Sequence, residues 1–420
     1  MKYTKHSLGA YNLHLIKTDK FKTIRVEISF KKQMEKEDST YQNLLCELML
    51  LSTKKYKTKR EFITKKQELY SSSIGSYTHR FGNYLNTTFW LDVLEDRFTE
   101  EGNLNEALAF FHDFLFDVDV ENKEFNELNV SHEKNNYLLD LEAIKEDSGN
   151  YSTIRLYEEM EENSPISYRL LGYKEVLETI TPKSLYEYYE NMIKTSLVDV
   201  FVIGNFDEEE MLENIKKIMP LNVLKKKRVD YLIEETPLRK KKNIITESSE
   251  YMQSKLAYGL KYSDISTYER NYVLTLFNII FGSGAESKLF REVREKHSLC
   301  YYIYSVSNKF DHNILIRAGI DKANLKQTVE LIDKELMNMQ KGKFDLDDIK
   351  KAQELYLTVL DTIEESQNQI VMDYLMKEML DTDDLDVKRK EIMNVTKEDI
   401  IKLAKKIKGE TVFCLEGDKS

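Results

Sequence analysis

The sequence predicts an α+β protein made of two homologous halves, and three observations carry that prediction. Apolar residues first alternate at the period of a strand and then recur at the spacing of a helix, in the order ββααββα. The same plan is written a second time downstream, and both copies end alike, in a capped helix followed by an apolar strand closed by glycine. A chain of 420 residues exceeds one compact core, and its 41% hydrophobic residues suffice for several.

In the first half, Tyr11 to Thr18 and Thr23 to Phe30 read as strands; Ile24, Val26, Ile28 and Phe30 alternate with polar residues as in a half-buried strand. Helical patterns follow at Thr40 to Leu51 and Lys59 to Leu69, strands near Ser72 to Thr78 and Asn86 to Val93, and a helix at Asn105 to Phe116. A helix from Pro182 to Ile193, with Thr181 as its cap, then feeds the strand Val198 to Ile203 and Gly204. The second half repeats this: strand Lys255 to Leu260, helices Tyr268 to Phe281 and Glu286 to Lys296, strands Leu299 to Ser307 and Ile314 to Ile320, helix Leu325 to Met339. Thr396 to Ile407 followed by the strand ending at Gly417 echoes Thr181 through Gly204. Between the copies, periodicity fades and two basic runs appear, Lys225 to Arg228 and Arg239 to Lys242. The expected organisation is an N-terminal half (1–220), a basic, solvated linker (221–246) and a C-terminal half (247–420).

Composition excludes several classes. No apolar stretch approaches the roughly 20 residues of a membrane span, and no signal-like run follows Met1, so a cytoplasmic protein without a membrane span is expected. Cys46, Cys300 and Cys414 lie far apart without CxxC spacing, which indicates neither a disulfide framework nor a thiolate metal site. A net charge of -11 repels phosphate backbones and argues against nucleic acid as a partner.

The most informative text runs from Phe281 to Tyr304. Gly282 and Gly284 punctuate two helices, but GxGxxG order and a Walker lysine are both missing, so this is a turn and not a phosphate loop. On the following helix Leu289, Phe290 and Val293 form an apolar stripe, while Lys288 with Glu292, Arg291 with Glu295 and Glu292 with Lys296 fall at i,i+4. Arg294 has Phe290, Arg291, His297 and Ser298 as helical neighbours, none a carboxylate. Tyr301 opens the next strand, so an arginine fork and a phenol, both donors suited to a carbonyl oxygen, can be aimed at one place.

The stretch LFREVREKHSLCYYIY resembles the C-terminal-half signature of the pitrilysin/insulinase family, LFxxVREKxGLAYxxY, with Ser298 and Cys300 replacing its small residues. Phe310-Asp311 and Ala318-Gly319 also match the family's usual text. The resemblance spans nearly the whole chain. It implies one half of a clamshell with mainly antiparallel sheets backed by helices, and it places the family's substrate-binding arginine and tyrosine on Arg294 and Tyr301.

Hydrolytic members of that family carry HxxEH on the first helix of the first half, because histidines at i and i+4 converge on zinc while the glutamate activates water. Here the corresponding positions are Asn43, Cys46 and Glu47, or in the adjacent register Leu44, Glu47 and Leu48, and none of the seven histidines forms the motif. For the family's third ligand, a glutamate some seventy-odd residues on, Glu124, Glu127 and Glu142 are candidates and remain unassigned. The chain is therefore expected to bind no zinc itself. Its text is similar to the zinc-less, YmfF-like branch, commonly paired with a zinc-bearing sister. The resemblance implies a non-catalytic, peptide-binding subunit of a zinc metalloendopeptidase, inactive alone, facing an HxxEH-bearing sister subunit or a second copy of itself. The alternative is a dimeric pseudopeptidase that binds peptides or acts as a scaffold without hydrolysis.

Overall fold

The computed structural model describes residues 1–220 and 229–417. The chain divides into two compact units, Met1–Glu142 with Arg169–Asp230 and Ala143–Tyr168 with Tyr231–Ser420. The segment Ala143–Tyr168 thus precedes the midpoint of the sequence but packs with the second unit. Of the expected linker, Lys225 to Arg228 lie outside the described residues, and its last residues begin a strand. The other basic run is engaged. Arg239 Nε lies 3.1 Å from Glu410 Oε1, and Lys242 pairs with Asp333.

The first unit contains β1 (Lys2–Ser7), β2 (Tyr11–Lys17), β3 (Thr23–Gln33), α1 (Asp38–Met49), α2 (Lys59–Glu68), β4 (Ser73–Phe81), β5 (Tyr84–Leu94) and α3 (Asn103–Phe116). A short hairpin, β6 (Val120–Glu121) and β7 (Glu124–Phe125), leads to α4 (Glu127–Glu142). After α5 (Ser148–Met160), which belongs to the second unit, come α6 (Lys174–Thr179), α7 (Pro182–Thr195), β8 (Leu197–Gly204) and α8 (Glu208–Ile218). The sheet has the order β1-β2-β8-β3-β5-β4, with only β2 and β8 parallel. Helices α1, α3 and α7 pack on it.

The second unit contains β9 (Asn243–Ser249), β10 (Ser254–Tyr262), α9 (Leu274–Asn278), β11 (Cys300–Asn308), β12 (Asn313–Ile320), α10 (Leu325–Gln340), α11 (Leu346–Ile363), α12 (Gln367–Leu380), α13 (Leu385–Asn394), α14 (Lys397–Ala404) and β13 (Ile407–Gly417). Wider π-helical turns flank α9 at Glu269–Val273 and Ile279–Ser283, and another spans Phe290–Lys296. The sheet order β11-β12-β10-β13-β9 reproduces β4-β5-β3-β8-β2, the first sheet read backwards without β1, with the parallel pair β9–β13 in the place of β2–β8. The fold is therefore α+β with mainly antiparallel sheets, and the repeat legible in the sequence is a repeat of topology.

The two endings agree in detail. Thr181 caps α7 through a reciprocal bond with Ser184, and Thr396 caps α14 through one with Asp399. Each helix then delivers its strand into the middle of a sheet.

Strand β3 departs from the half-buried expectation. Ile24, Val26, Ile28 and Phe30 are buried, and so is the polar set between them: Arg25, Glu27, Ser29 and Lys31 are at most 9% exposed. They remain inside because each finds a partner across the strands. Arg25 donates to Glu27 at 2.5 Å and to Asp92 at 2.7 Å, with its guanidinium 4.8 Å from the Trp90 ring. Lys31 pairs with Asp199, whose carboxylate also receives Asn12 Nδ2 at 2.9 Å and lies 3.3 Å from His14 Nε2. Burial alone would raise the Asp199 pKa, but Lys31 and His14 outweigh it and hold the carboxyl well below its ordinary range.

Because that pKa lies below its unfolded value, the pair's contribution is complete at neutral pH and is lost only as pH falls below about 4. Lys31→Met strands a buried carboxylate and is expected to cost about 3–5 kcal/mol, while Lys31→Met with Asp199→Asn recovers part of it. Denaturant unfolding followed by the emission of Trp90, the single tryptophan, measures both. Equal stability of wild type and Lys31→Met would contradict the assignment.

Candidate functional site

The positions corresponding to a metal motif lie on α1, but they do not converge. Asn43 and Glu47, four residues apart, share one face, and Cys46 turns elsewhere. Asn43 Nδ2 donates to Tyr137 Oη at 3.2 Å and to the Leu170 carbonyl at 2.8 Å. Tyr137 Oη in turn donates to the Leu171 carbonyl at 2.5 Å. The hydroxyl rests on Gly172, where an added methyl carbon would come within 2.7 Å of it. Gly172 has φ of +84°, so lack of a side chain serves both the turn and the close approach. Burial pushes the Tyr137 phenol up to about 12, which keeps it a donor. A hydrogen-bonded knot therefore stands here.

Cys46 is buried, with Gln42 Nε2 3.6 Å from its sulfur, and burial holds its thiol protonated. Glu47 is exposed. Its pKa is raised, first by desolvation and then by Glu133 and Asp140 of α4. Leu44 and Leu48 of the adjacent register are buried core. Of the three unassigned glutamates, Glu142 pairs with Lys174 at 2.8 Å, and the carboxylates that act on Glu47 are Glu133 and Asp140. Their spacing of seven on α4 was the available signal, and only the docking of α4 on α1 gives it meaning. This donor set, an amide already engaged, a buried thiol and carboxylates without imidazole, does not fit zinc. Among the described residues no group of three or more His, Cys, Asp or Glu could hold a metal.

The other candidate site lies where the π-helical segment Phe290–Lys296 hands over to β11. Leu289, Val293, Leu299 and Ile303 are buried beneath it and fix the junction. The Ser298 amide bonds the Arg294 carbonyl at 3.1 Å and the Leu299 amide bonds the Val293 carbonyl at 3.1 Å. Ser298 itself is left-handed, with φ of +51°, a conformation that favours glycine and accounts for the glycine of the signature at this position. Gly282 supplies a close approach: an added methyl carbon would lie 2.5 Å from Ser305 Oγ.

The wide turn also changes the ion pairs. Lys296 and Glu292 pair at 3.0 Å as expected, but Arg291 reaches Asp348 on α11 at 2.9 Å and not Glu295. In a π-turn residues four apart are no longer directly stacked, so the i,i+4 rule weakens. Arg294 is exposed, lies 4.7 Å from the Phe290 ring, and has no carboxylate or side-chain hydrogen bond among the described residues. Tyr301 sits on a β-bulge: Cys300 pairs with Ile320 and Tyr302 with Gly319, leaving Tyr301 as the extra residue. Its ring is 78% exposed. Bulges re-aim side chains, and this one presents a phenol that the ladder does not use. Cys300, between them, is half-buried with its thiol pushed up to about 11 by desolvation, against the opposing pull of Arg294.

Comparison with known proteins agrees with the fold. A family model described as the peptidase M16 inactive domain matches residues 179–356. A protein named probable inactive metalloprotease YmfF, from Bacillus subtilis strain 168, is 28% identical over 419 residues, 97% of this chain and 96% of that one. The crystal structure of a conserved protein from Enterococcus faecalis V583 superposes with a TM-score of 0.93 at 26% identity, covering 100% of both chains. The periplasmic protease PqqL of Escherichia coli shares the fold with a TM-score of 0.71 at 12% identity, 99% of this chain matching 46% of that one. The chain is a homologue of the M16-family metalloproteases. Within them it resembles the inactive branch typified by YmfF, as the signature and the missing HxxEH led one to expect.

On the donor set at α1, purified protein is expected to retain no stoichiometric zinc after mild dialysis. Metal analysis by atomic emission decides it, and retention of one zinc per chain would overturn this account of Asn43, Cys46 and Glu47.

Proposed function

We propose that this chain is the substrate-gripping half of a two-part peptidase, holding a peptide with Arg294 and Tyr301 opposite a sister subunit that carries HxxEH. The observation that carries the reading is the junction itself: an exposed guanidinium with no carboxylate partner among the described residues and a 78% exposed tyrosine on a bulge, both carried on one buried plug. A guanidinium fork and a phenol donate to a peptide carbonyl, and they donate more strongly as its oxygen gains charge. The partner would supply zinc and general base; this chain would position the peptide and oppose charge on the oxygen. That the fold occupies 46% of PqqL is consistent with a machine made of two such lengths.

The test mixes this chain with an HxxEH-bearing sister subunit and follows a fluorogenic peptide. Neither protein alone is expected to cleave it. In the active mixture Tyr301→Phe is expected to lower kcat about 100- to 1000-fold while leaving folding intact, since it removes one hydroxyl. Arg294→Lys is damaging because an ammonium cannot reproduce the planar fork. Arg291→Lys is the control, since either cation serves Asp348 on an exposed face. If both site variants behaved like the control, the junction would be structural only. Equal cleavage with and without this chain would favour a scaffold.

A further inference from the structure

Beside Tyr301 the second sheet carries two cations that the fold does not use. Register places them. On one face, Lys255 of β10, Gly319 of β12 and Tyr302 of β11 form a row, and Ala257, Arg317 and Tyr304 form the next. Lys255 and Arg317 are therefore diagonal neighbours across a position with no side chain. Gly319 carries no side chain, and the Tyr302 ring and the Gln253 amide close over it: a methyl carbon there would come within 2.7 Å of Tyr302 Cε1 and of Gln253 Oε1.

Helix α5 lies on the adjoining rows, with Met160 against Gly259 at one end and Gly149 at the other. An added methyl carbon on Gly149 would sit 2.7 Å from Arg317 Nη2, so the start of α5 comes hard against the guanidinium. Lys255, Tyr302, Tyr304 and Arg317 are all partly exposed.

The two cations of these rows make no ion pair among the described residues. Lys255 Nζ donates to the neutral Gln253 Oε1 at 2.7 Å and lies 5.5 Å from the Tyr302 ring. Arg317 makes no ion pair and no hydrogen bond among the described residues, and the Tyr302 and Tyr304 hydroxyls likewise have no acceptor or donor. The Lys255 pKa is lowered chiefly by desolvation, with Asp147 pulling it up and the like charge of Arg317 pushing it down. The nearby carboxylate is Asp147, whose Oδ1 is engaged at 2.9 Å by the Asn150 amide as the cap of α5.

We infer that this face holds a carboxylate of the bound peptide, either an acidic side chain or the C-terminus, between Lys255 and Arg317 with the two tyrosine hydroxyls as further donors. The inference rests on the gripping role proposed above and adds a preference for acidic peptides. Charge selects the ligand class. Two cations against Asp147 leave one surplus positive charge, which a carboxylate cancels and a phosphate dianion overshoots. Place selects the peptide: Tyr301 and Tyr302 are consecutive on the edge strand, so a chain held at the first has its own side chains, about 3.3 Å apart per residue, within reach of the second. The preference also runs against the net charge of -11, and so requires a local basic site.

The experiment measures binding of short fluorescein-labelled peptides to the full chain by anisotropy. The peptides differ only by Asp against Asn at one interior position, or by a free against an amidated C-terminus. Wild type is expected to bind one acidic member about tenfold more tightly than its neutral twin, and the twin that matters identifies the carboxylate. Lys255→Met and Arg317→Gln each abolish that ratio and leave the neutral peptide's affinity unchanged, which a folding defect would not do. Arg294→Lys and Tyr301→Phe weaken acidic and neutral peptides alike and preserve the ratio. Equal affinity of wild type for both members of both pairs overturns the carboxylate site, even where Arg294 and Tyr301 variants still weaken binding. A preserved ratio with no effect of the Arg294 and Tyr301 variants removes the gripping role and leaves the carboxylate site standing. No binding of any peptide overturns both.

Discussion

Each unit depends on a strand that arrives last. β8 lies between β2 and β3, and β13 between β9 and β10, so an interior strand of each sheet comes from the end of its segment. Until that strand is seated, the strands on either side of it have no partner along those edges, and the helices that pack on the sheet have no continuous floor. The near absence of exposure along both strands reflects this: from Val198 to Gly204 and from Glu410 to Leu415 every residue is buried. The threonine caps of α7 and α14 matter for the same reason, since they fix where helix stops and central strand begins. The pairings of these strands are therefore distant in sequence, which adds a loop-closure cost to assembly.

Much of this was legible in the sequence. The alternation of Ile24, Val26, Ile28 and Phe30, the doubled ββααββα order and the matched endings all reappear as elements and as topology. What escaped were the edges and the additions. β1 has exposed, charged residues on its outer side, and β9 follows a basic run, so neither shows the apolar alternation of a strand. The polar face of β3 looked like a solvent face because a one-dimensional pattern cannot tell a lysine in water from one paired with a buried aspartate.

The candidate site was legible in the same unequal way. Arg294 could be singled out because its helical neighbours lack a carboxylate, and Tyr301 because it opens a strand. The bulge that turns Tyr301 outward and the left-handed turn at Ser298 have no sequence pattern of their own. Lys255 and Arg317 are 62 positions apart, and only the register of β10 on β12 makes them neighbours. The two candidate sites therefore differ in character. On α1 Asn43 is held in hydrogen bonds with Tyr137 and the Leu170 carbonyl, whereas at the start of β11 the Arg294 and Tyr301 donors have no acceptor among the described residues.

The placement of α5 has a consequence for how this gene could be divided. Its helix comes from the first half of the chain, yet Tyr151 and Leu156 lie with Ala257, Leu315, Phe413 and Leu415 in one buried cluster. Burial of each large side chain there is worth about 1.5–3 kcal/mol. A split at the sequence midpoint would give one product carrying a helix with no sheet to lie on and another with an uncovered apolar face, which is prone to self-association. The two halves are duplicates in topology, but this borrowed helix prevents them from becoming separate genes without exchange of Ala143–Tyr168.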